Sequence, residues 1–280
     1  MIASDLVDIE SLVKFEIPPL PNVAMKVAAL TQDLNASTRS IGDCIGCDPV
    51  LSARVLRAAN SPLYYLERDV TTLTMAVNAL GNESIHLLVL ASAAIGAFKR
   101  KGHSSAMETT LWEHSVAVGL AAREIMLALG LRGTDQAFTC GLLHDIGKLM
   151  LLRHNEDAYR QIIDDVEECG YLANERATFG YTHAQVGALA AKRWNLPDAI
   201  THAIYHHHQP SQAEQSMLIA RVVDVADALA NRAGMGVWGS SEADLSESES
   251  VMALKLTEAQ LIPIWATTQA RVSETFALFN

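Results

Sequence analysis

Aromatic residues are scarce in this chain, 6% of its 280 positions, and proline occurs only eight times. Few aromatics and no clear alternation of apolar and polar residues leave little to build a β-rich fold from, and sparse proline leaves helices uninterrupted. Cysteine is sparse too. Four thiols, at 44, 47, 140 and 169, are too few and too scattered for a secreted disulfide scaffold. Positive charge is deficient: the net charge is −11, and the longest basic cluster is Lys99-Arg100-Lys101. A phosphate-backbone footprint needs many more cations, so nucleic acid is excluded as the expected partner. Long apolar runs are missing as well. The best, Ile85 to Phe98, is interrupted by His86, Ser92 and Gly96 and falls about a third short of a bilayer span. Met1-Ile2-Ala3-Ser4-Asp5 lacks the basic start and apolar core of a secretory signal. A soluble, cytoplasmic protein with no membrane association is expected. Self-association is left open.

What is present is apolar residues at half of all positions, dominated by Ala and Leu, in helical spacing. The fold class expected is all-α. Pro18-Pro19-Leu20-Pro21 is a stiff entry, and Asn22 to Leu34 follows with Val23, Val27 and Leu30 on one face. Asp48-Pro49 reads as an N-cap with proline at the first helical position. A helix from Thr72 to Leu80 stops at Gly81, and Asn82 can start the next. Residues 99–109 are small and polar and mark a boundary. Further helices are expected over Leu111–Leu129, over Asp135–His154, on an acidic stretch with Asp164, Asp165, Glu167 and Glu168, after Leu196-Pro197, and over Ser216–Ala233. Thr182 and Gln185 form a capping box, which makes His183 the first helical residue. The acidic, serine-rich 240–250 reads as a mobile linker, and a last helix within 257–279 has to accommodate Pro263. The division expected is 1–100, 101–239, the linker 240–250 and the terminal helical segment 251–280. Cys44-Ile45-Gly46-Cys47 reads as a redox or half-zinc pair, or as two small core residues on a helix.

Chemistry concentrates in Gly141-Leu142-Leu143-His144-Asp145-Ile146-Gly147-Lys148-Leu149, where an imidazole, a carboxylate and an amine interrupt apolar sequence. Ionisable groups in a packed core are paired or hold a metal, and imidazole with carboxylate suits divalent ions. Other candidates share inward faces. His114 lies on the stripe of Leu111, Val118, Ala122 and Ile125. His207 and His208 follow Ile204 by three and four residues, with His206 more sideways. Asp224 and Asp227 edge the stripe of Ile219, Val222, Val223 and Ala226. His183, at a helix N-terminus, is disfavoured as an imidazolium and so stays free to bind a metal. Each has a plain alternative: a hydrogen-bonded core histidine, a surface coincidence for the triplet, a pair with Arg221 for Asp224, neutralisation of Asp145 for Lys148.

In this order, His114, His144-Asp145 and Asp227 resemble the HD superfamily of metal-dependent phosphohydrolases. The setting Ala226-Asp227-Ala228-Leu229 favours Asp227 over Asp224. The match is closer to one branch, the HDOD domain (HD-related output domain) of bacterial signalling proteins. It runs through Ile17-Pro18-Pro19-Leu20-Pro21, Asp48 to Ser61, Ala76 to Gly81, Leu111 to Ser115, Gly141 to Lys148 and Tyr205 to Pro210, within about 15–235. The resemblance implies an N-terminal helical half packed on an HD-like half, and a role in signal transduction. His183 with His207 and His208 is similar to the HD-GYP branch, but the defining Gly-Tyr-Pro segment is absent. Gln209-Pro210-Ser211-Gln212 stands there instead.

Two functions follow. The first is a signalling module acting through a protein partner, with its metal structural or sensory and with Ser61-Pro62-Leu63-Tyr64-Tyr65 as a docking patch or as core packing. The alternative is a metal-dependent phosphohydrolase of a nucleotide or phosphodiester. His114, His144, Asp145 and Asp227 would then hold one ion and His183, His207 and His208 a second, with Asp145 bridging and Lys148 neutralising the phosphate. Fe, Mn, Ni and Zn all suit such donors. Arg193 and Arg221 are the nearest expected phosphate partners.

Overall fold

The computed structural model describes residues 20–61, 64, 69–97, 106–164, 171–236 and 245–279. Among these residues the fold is all-α, with no strand. Two compact units emerge, one within Ser104–Ala270 and the other within Pro18–His103 with Arg271–Asn280.

The smaller unit holds α1 (Asn22–Gln32), α2 (Thr38–Ile45), α3 (Pro49–Ala59) and α4 (Leu73–Ala97). The first three all pack on α4. Ser37 caps α2, and Asp48 caps α3 by accepting from the amides of Val50 and Leu51 at 2.9 and 3.1 Å. The two helices expected around Gly81 are both there, joined within α4 by a kink. The kink is at Gly81, whose φ of 79° suits a residue without a Cβ. Leu73–Ala94 has the length and mean hydropathy (1.2) of a candidate membrane span, yet half of that window is buried inside the protein. That burial is what a central helix shows when other helices pack around it. The C-x-x-C motif ends α2, with Cys44 half-buried and Cys47 exposed, so Cys47 is not a core residue.

The larger unit begins with α5 (Ala106–Ala128), α6 (Thr134–Leu143), α7 (Ile146–His154) and α8 (Glu156–Asp164). It continues with α9 (Tyr171–Phe179), α10 (His183–Arg193), α11 (Asp198–His206), α12 (Met217–Arg232), α13 (Glu249–Leu254) and most of α14 (Glu258–Phe279). Its core is α5 against α6 and α12, with α10 between α7 and α11. Leu120, Ile125, Leu142, Leu143, Val186, Ile204 and Val223 are fully buried there.

Three expectations change. The helix predicted over Asp135–His154 is two helices, broken at His144-Asp145. α9 has almost no amphipathic pattern and lies outside every helix that periodicity predicts. The serine-rich linker is ordered from residue 245: a 3₁₀ turn at Leu245–Glu247 leads into α13, capped by Ser248 through the Val251 amide. Leu245 and Ser250 are buried, so 245–250 is not a mobile linker. Several expected features lie outside the described residues: Pro18-Pro19, Pro62, Leu63 and Tyr65 of the patch, Lys99-Arg100-Lys101, Asp165, Glu167, Glu168, Cys169, and 240–244.

Candidate metal centre

The break between α6 and α7 presents the His144-Asp145 pair. Asp145, with φ −99° and ψ 12°, leaves helical geometry for a single residue and then starts α7. That turn lets successive side chains face one point, which a continuous helix would splay about 100° apart. Gly147 explains what lies opposite. A Cβ on Gly147 would overlap the His183 carbonyl, so only glycine lets the start of α7 touch the start of α10. The Thr182/Gln185 capping box then fixes His183 as the first residue of α10.

The imidazoles share one device. His114 Nδ1 is 2.5 Å from the Met235 carbonyl, His144 Nδ1 2.7 Å from that of Gly141, and His207 Nδ1 2.6 Å from that of Ile204. His183 Nδ1 lies 2.8 Å from Glu175 Oε2. A carbonyl or carboxylate can only accept, so each Nδ1 donates, and each Nε2 is the nitrogen turned to the cluster, where a metal would take the place of any proton it carries.

These Nε2 atoms converge on Asp145 from two sides. Toward Oδ2 come His144 at 3.3 Å and His114 at 3.5 Å. Toward Oδ1 come His183 at 3.3 Å and His207 at 3.8 Å. Asp227 Oδ1 joins the first side, 3.0 Å from His114 Nε2 and steadied by Asn231 at 2.8 Å. His208 joins the second, its Nε2 3.0 Å from His183 Nε2 and 3.1 Å from the Tyr171 hydroxyl. The structure thus brings together His114, His144, Asp145, His183, His207, His208 and Asp227. Asp224 instead bonds Ser250. His206 is buried outside the cluster. Lys148 Nζ sits 2.6 Å from Asp145 Oδ2 and 5.0 Å from the Tyr171 ring centroid.

These residues fit a divalent cation. His144 Nε2 and Asp145 Oδ1 are buried without a hydrogen-bond partner, while Asp145 Oδ2 has the Lys148 ammonium as an ion-pair partner. Leaving such atoms bare is costly unless something else satisfies them. Donor atoms of His114/His144/Asp227, of His144/Asp145/His207 and of His183/His207/His208 each lie within 4.8 Å of one another.

The electrostatics divide the same way. Burial opposes charge on His144, but the Asp145 and Asp227 carboxylates outweigh it and raise its pKa to about 9. Burial likewise opposes charge on Asp145, yet His144, Lys148 and His183 hold its carboxyl well below the usual range. On the second side burial wins. It pushes His207 well down, helped by His208 and His144, and takes His208 to about 3, helped by His183 and Lys148. Those two imidazoles are neutral at pH 7 and ready to ligate.

Two residues at the site were invisible in the sequence. Glu175, fully buried on α9, also accepts from the His183 amide at 2.7 Å and from the Tyr159 hydroxyl at 3.2 Å. No spacing rule marks it, because its helix has no amphipathic face. Tyr171, on the same helix, is the other. The expected phosphate partners do not serve: Arg221 pairs with Glu249 at 3.3 Å. Arg193 ends the helix that His183 begins, about 15 Å away by helical rise.

The model of the HDOD domain family matches residues 17–210, more than half of the chain. The chain belongs to the HDOD domain family. An HDOD domain protein of unknown function from Geobacter sulfurreducens is 27% identical, with a TM-score of 0.74 over 98% of this chain and 95% of that one. A Shewanella amazonensis protein, provisionally named a phosphohydrolase, shares the fold at TM-score 0.76 and 24% identity, over 98% of both chains. An uncharacterized protein of Treponema pallidum is 24% identical over 212 residues, 71% of this chain. This HDOD chain spans about two-fifths (39%) of that relative's length.

Proposed function

We propose that this HDOD protein is a metal-dependent phosphoesterase serving cytoplasmic signal transduction through a protein partner. One observation carries the reading: the two oxygens of Asp145 face separate sets of imidazoles. His114, His144 and Asp227 would hold one divalent ion and His183, His207 and His208 a second, with Asp145 available to both. Divalent ions held there would supply Lewis-acid polarisation of a phosphoryl oxygen and activation of water. The protein's own residues do the rest. Asp145 fixes the spacing of the two halves. Glu175 orients His183. Lys148, beside Asp145 Oδ2, places a positive charge where a phosphoryl oxygen gathers negative charge.

A second reading is a signalling module with a structural or sensory metal and no turnover. It is favoured by the near-complete burial of His114, His144, Asp145, His183 and His207, each 3% exposed or less. Metal content and hydrolysis of bis(p-nitrophenyl) phosphate, measured after loading with Mn²⁺, Fe²⁺, Ni²⁺ or Zn²⁺, separate the two. The phosphoesterase reading expects about two ions per chain, with turnover abolished by Asp145→Asn. Two ions without turnover would leave the module, and a chain that takes up no ion would overturn both.

A further inference from the structure

A cavity of about 610 Å³ opens beside the second half of the cluster. Its walls come from α9, from the first turn of α10, from the end of α11 and from the segment that follows to Gln212. His208 belongs to both places: it lines the cavity, and its Nε2 lies 3.0 Å from His183 Nε2. Among the described lining residues there is no carboxylate, in a chain with eleven more acidic than basic groups. Among the described lining residues Arg176 is the one guanidinium or ammonium, next in sequence to the Glu175 that grips His183. Its side chain is exposed and makes no ion pair among the described residues.

The remaining polar groups offer both hydrogen-bonding senses. Gln185 accepts from the Thr182 amide at 3.0 Å through its carbonyl oxygen, which leaves its NH₂ to donate elsewhere. Gln209 and Gln212 present exposed carboxamides. His206 also lines the cavity. It is 93% buried (7% exposed), and its Nε2 has no partner. Tyr205 adds an aromatic wall, and Leu172 an aliphatic one.

Carboxamides, an unpartnered imidazole nitrogen and an aromatic wall suit the edge and face of a heterocyclic base. Among the described lining residues a guanidinium with no acid beside it suits one phosphate rather than a polyphosphate. The volume is within the range of small-molecule sites. We propose that this cavity receives the nucleoside part and the single phosphate of a nucleotide phosphoester, with Arg176 as the anion partner and Gln209 on the base. The proposal rests on the metal-centre reading above for the reaction, but the cavity can be tested by binding alone.

The test is calorimetric titration of the full chain, Mn²⁺-loaded and chelator-stripped, with 5′-AMP and with inorganic phosphate. Arg176→Ala is expected to weaken both ligands by about tenfold, the loss of one charge-assisted contact. Gln209→Ala should weaken AMP and spare phosphate. Both side chains are exposed, so neither change threatens the fold. Failure of AMP to bind, or equal AMP affinity in wild type and Arg176→Ala, overturns the cavity assignment. Absence of bound Mn²⁺ with Arg176-dependent AMP binding intact overturns the metal centre and sustains the cavity.

Discussion

Glu175 shows how much of the centre depends on a side chain that would touch no ion. Its two oxygens meet the ring and the amide of His183 and the hydroxyl of Tyr159. Glu175→Gln keeps the volume and removes the charge that makes Nδ1 a firm donor. Outer carboxylates of this kind are worth about 10–100-fold in metal affinity. Chelator competition should show one of two bound ions weakened by that order in Glu175→Gln, with the ion at His114, His144 and Asp227 retained. The ligand candidates themselves were legible residue by residue, because imidazoles and acids on apolar stripes stand out. Glu175 was not, because a buried acid on a helix without amphipathic pattern looks like any solvated glutamate until its partner is seen.

At the scale of elements, the contact between α7 and α10 sets the distance between the two halves of the cluster. Gly147→Ala places a methyl group against the His183 carbonyl. Overpacking of this sort costs about 1–3 kcal/mol and moves backbone. The variant is expected to melt at lower temperature and to bind less metal in the same preparation, as read by calorimetry and metal analysis. Most helices were readable from caps and periodicity: Asp48, Thr182 and Gly81 all mark boundaries where the sequence places them. The break at His144-Asp145 was not readable, since apolar residues on every side of 137–150 give a periodicity argument nothing to resolve. The order of 245–250 was hidden for the opposite reason. Its serines and acids match a solvated linker in composition, while Ser248 works as a cap and Leu245 as a core residue.

For the whole molecule, the charges gathered at one buried point tie folding to pH when no metal is bound. His144 is raised from 6.5 to about 9, so the stability it contributes is complete below pH 6.5 and is lost as pH climbs through 9. His208 is lowered to about 3, so its contribution is complete above pH 6.5 and is lost as pH falls toward 3. Metal-stripped protein should therefore be most resistant to urea near neutrality. Its alkaline decline should have a slope of up to about 1.4 kcal/mol per pH unit from His144. The decline should flatten in His144→Gln, and an unchanged alkaline limb would show that the ring carries no such proton.

The sharing of Asp145 has a further effect on how the protein would fill. Two cations bring four positive charges to a pocket whose nearest anions are Asp145 and Asp227. The first arrival spends much of that negative charge, and the newcomer meets a bridge already half neutralised. Loading would then proceed in two unequal stages, and scarce metal would yield singly occupied molecules before any doubly occupied ones.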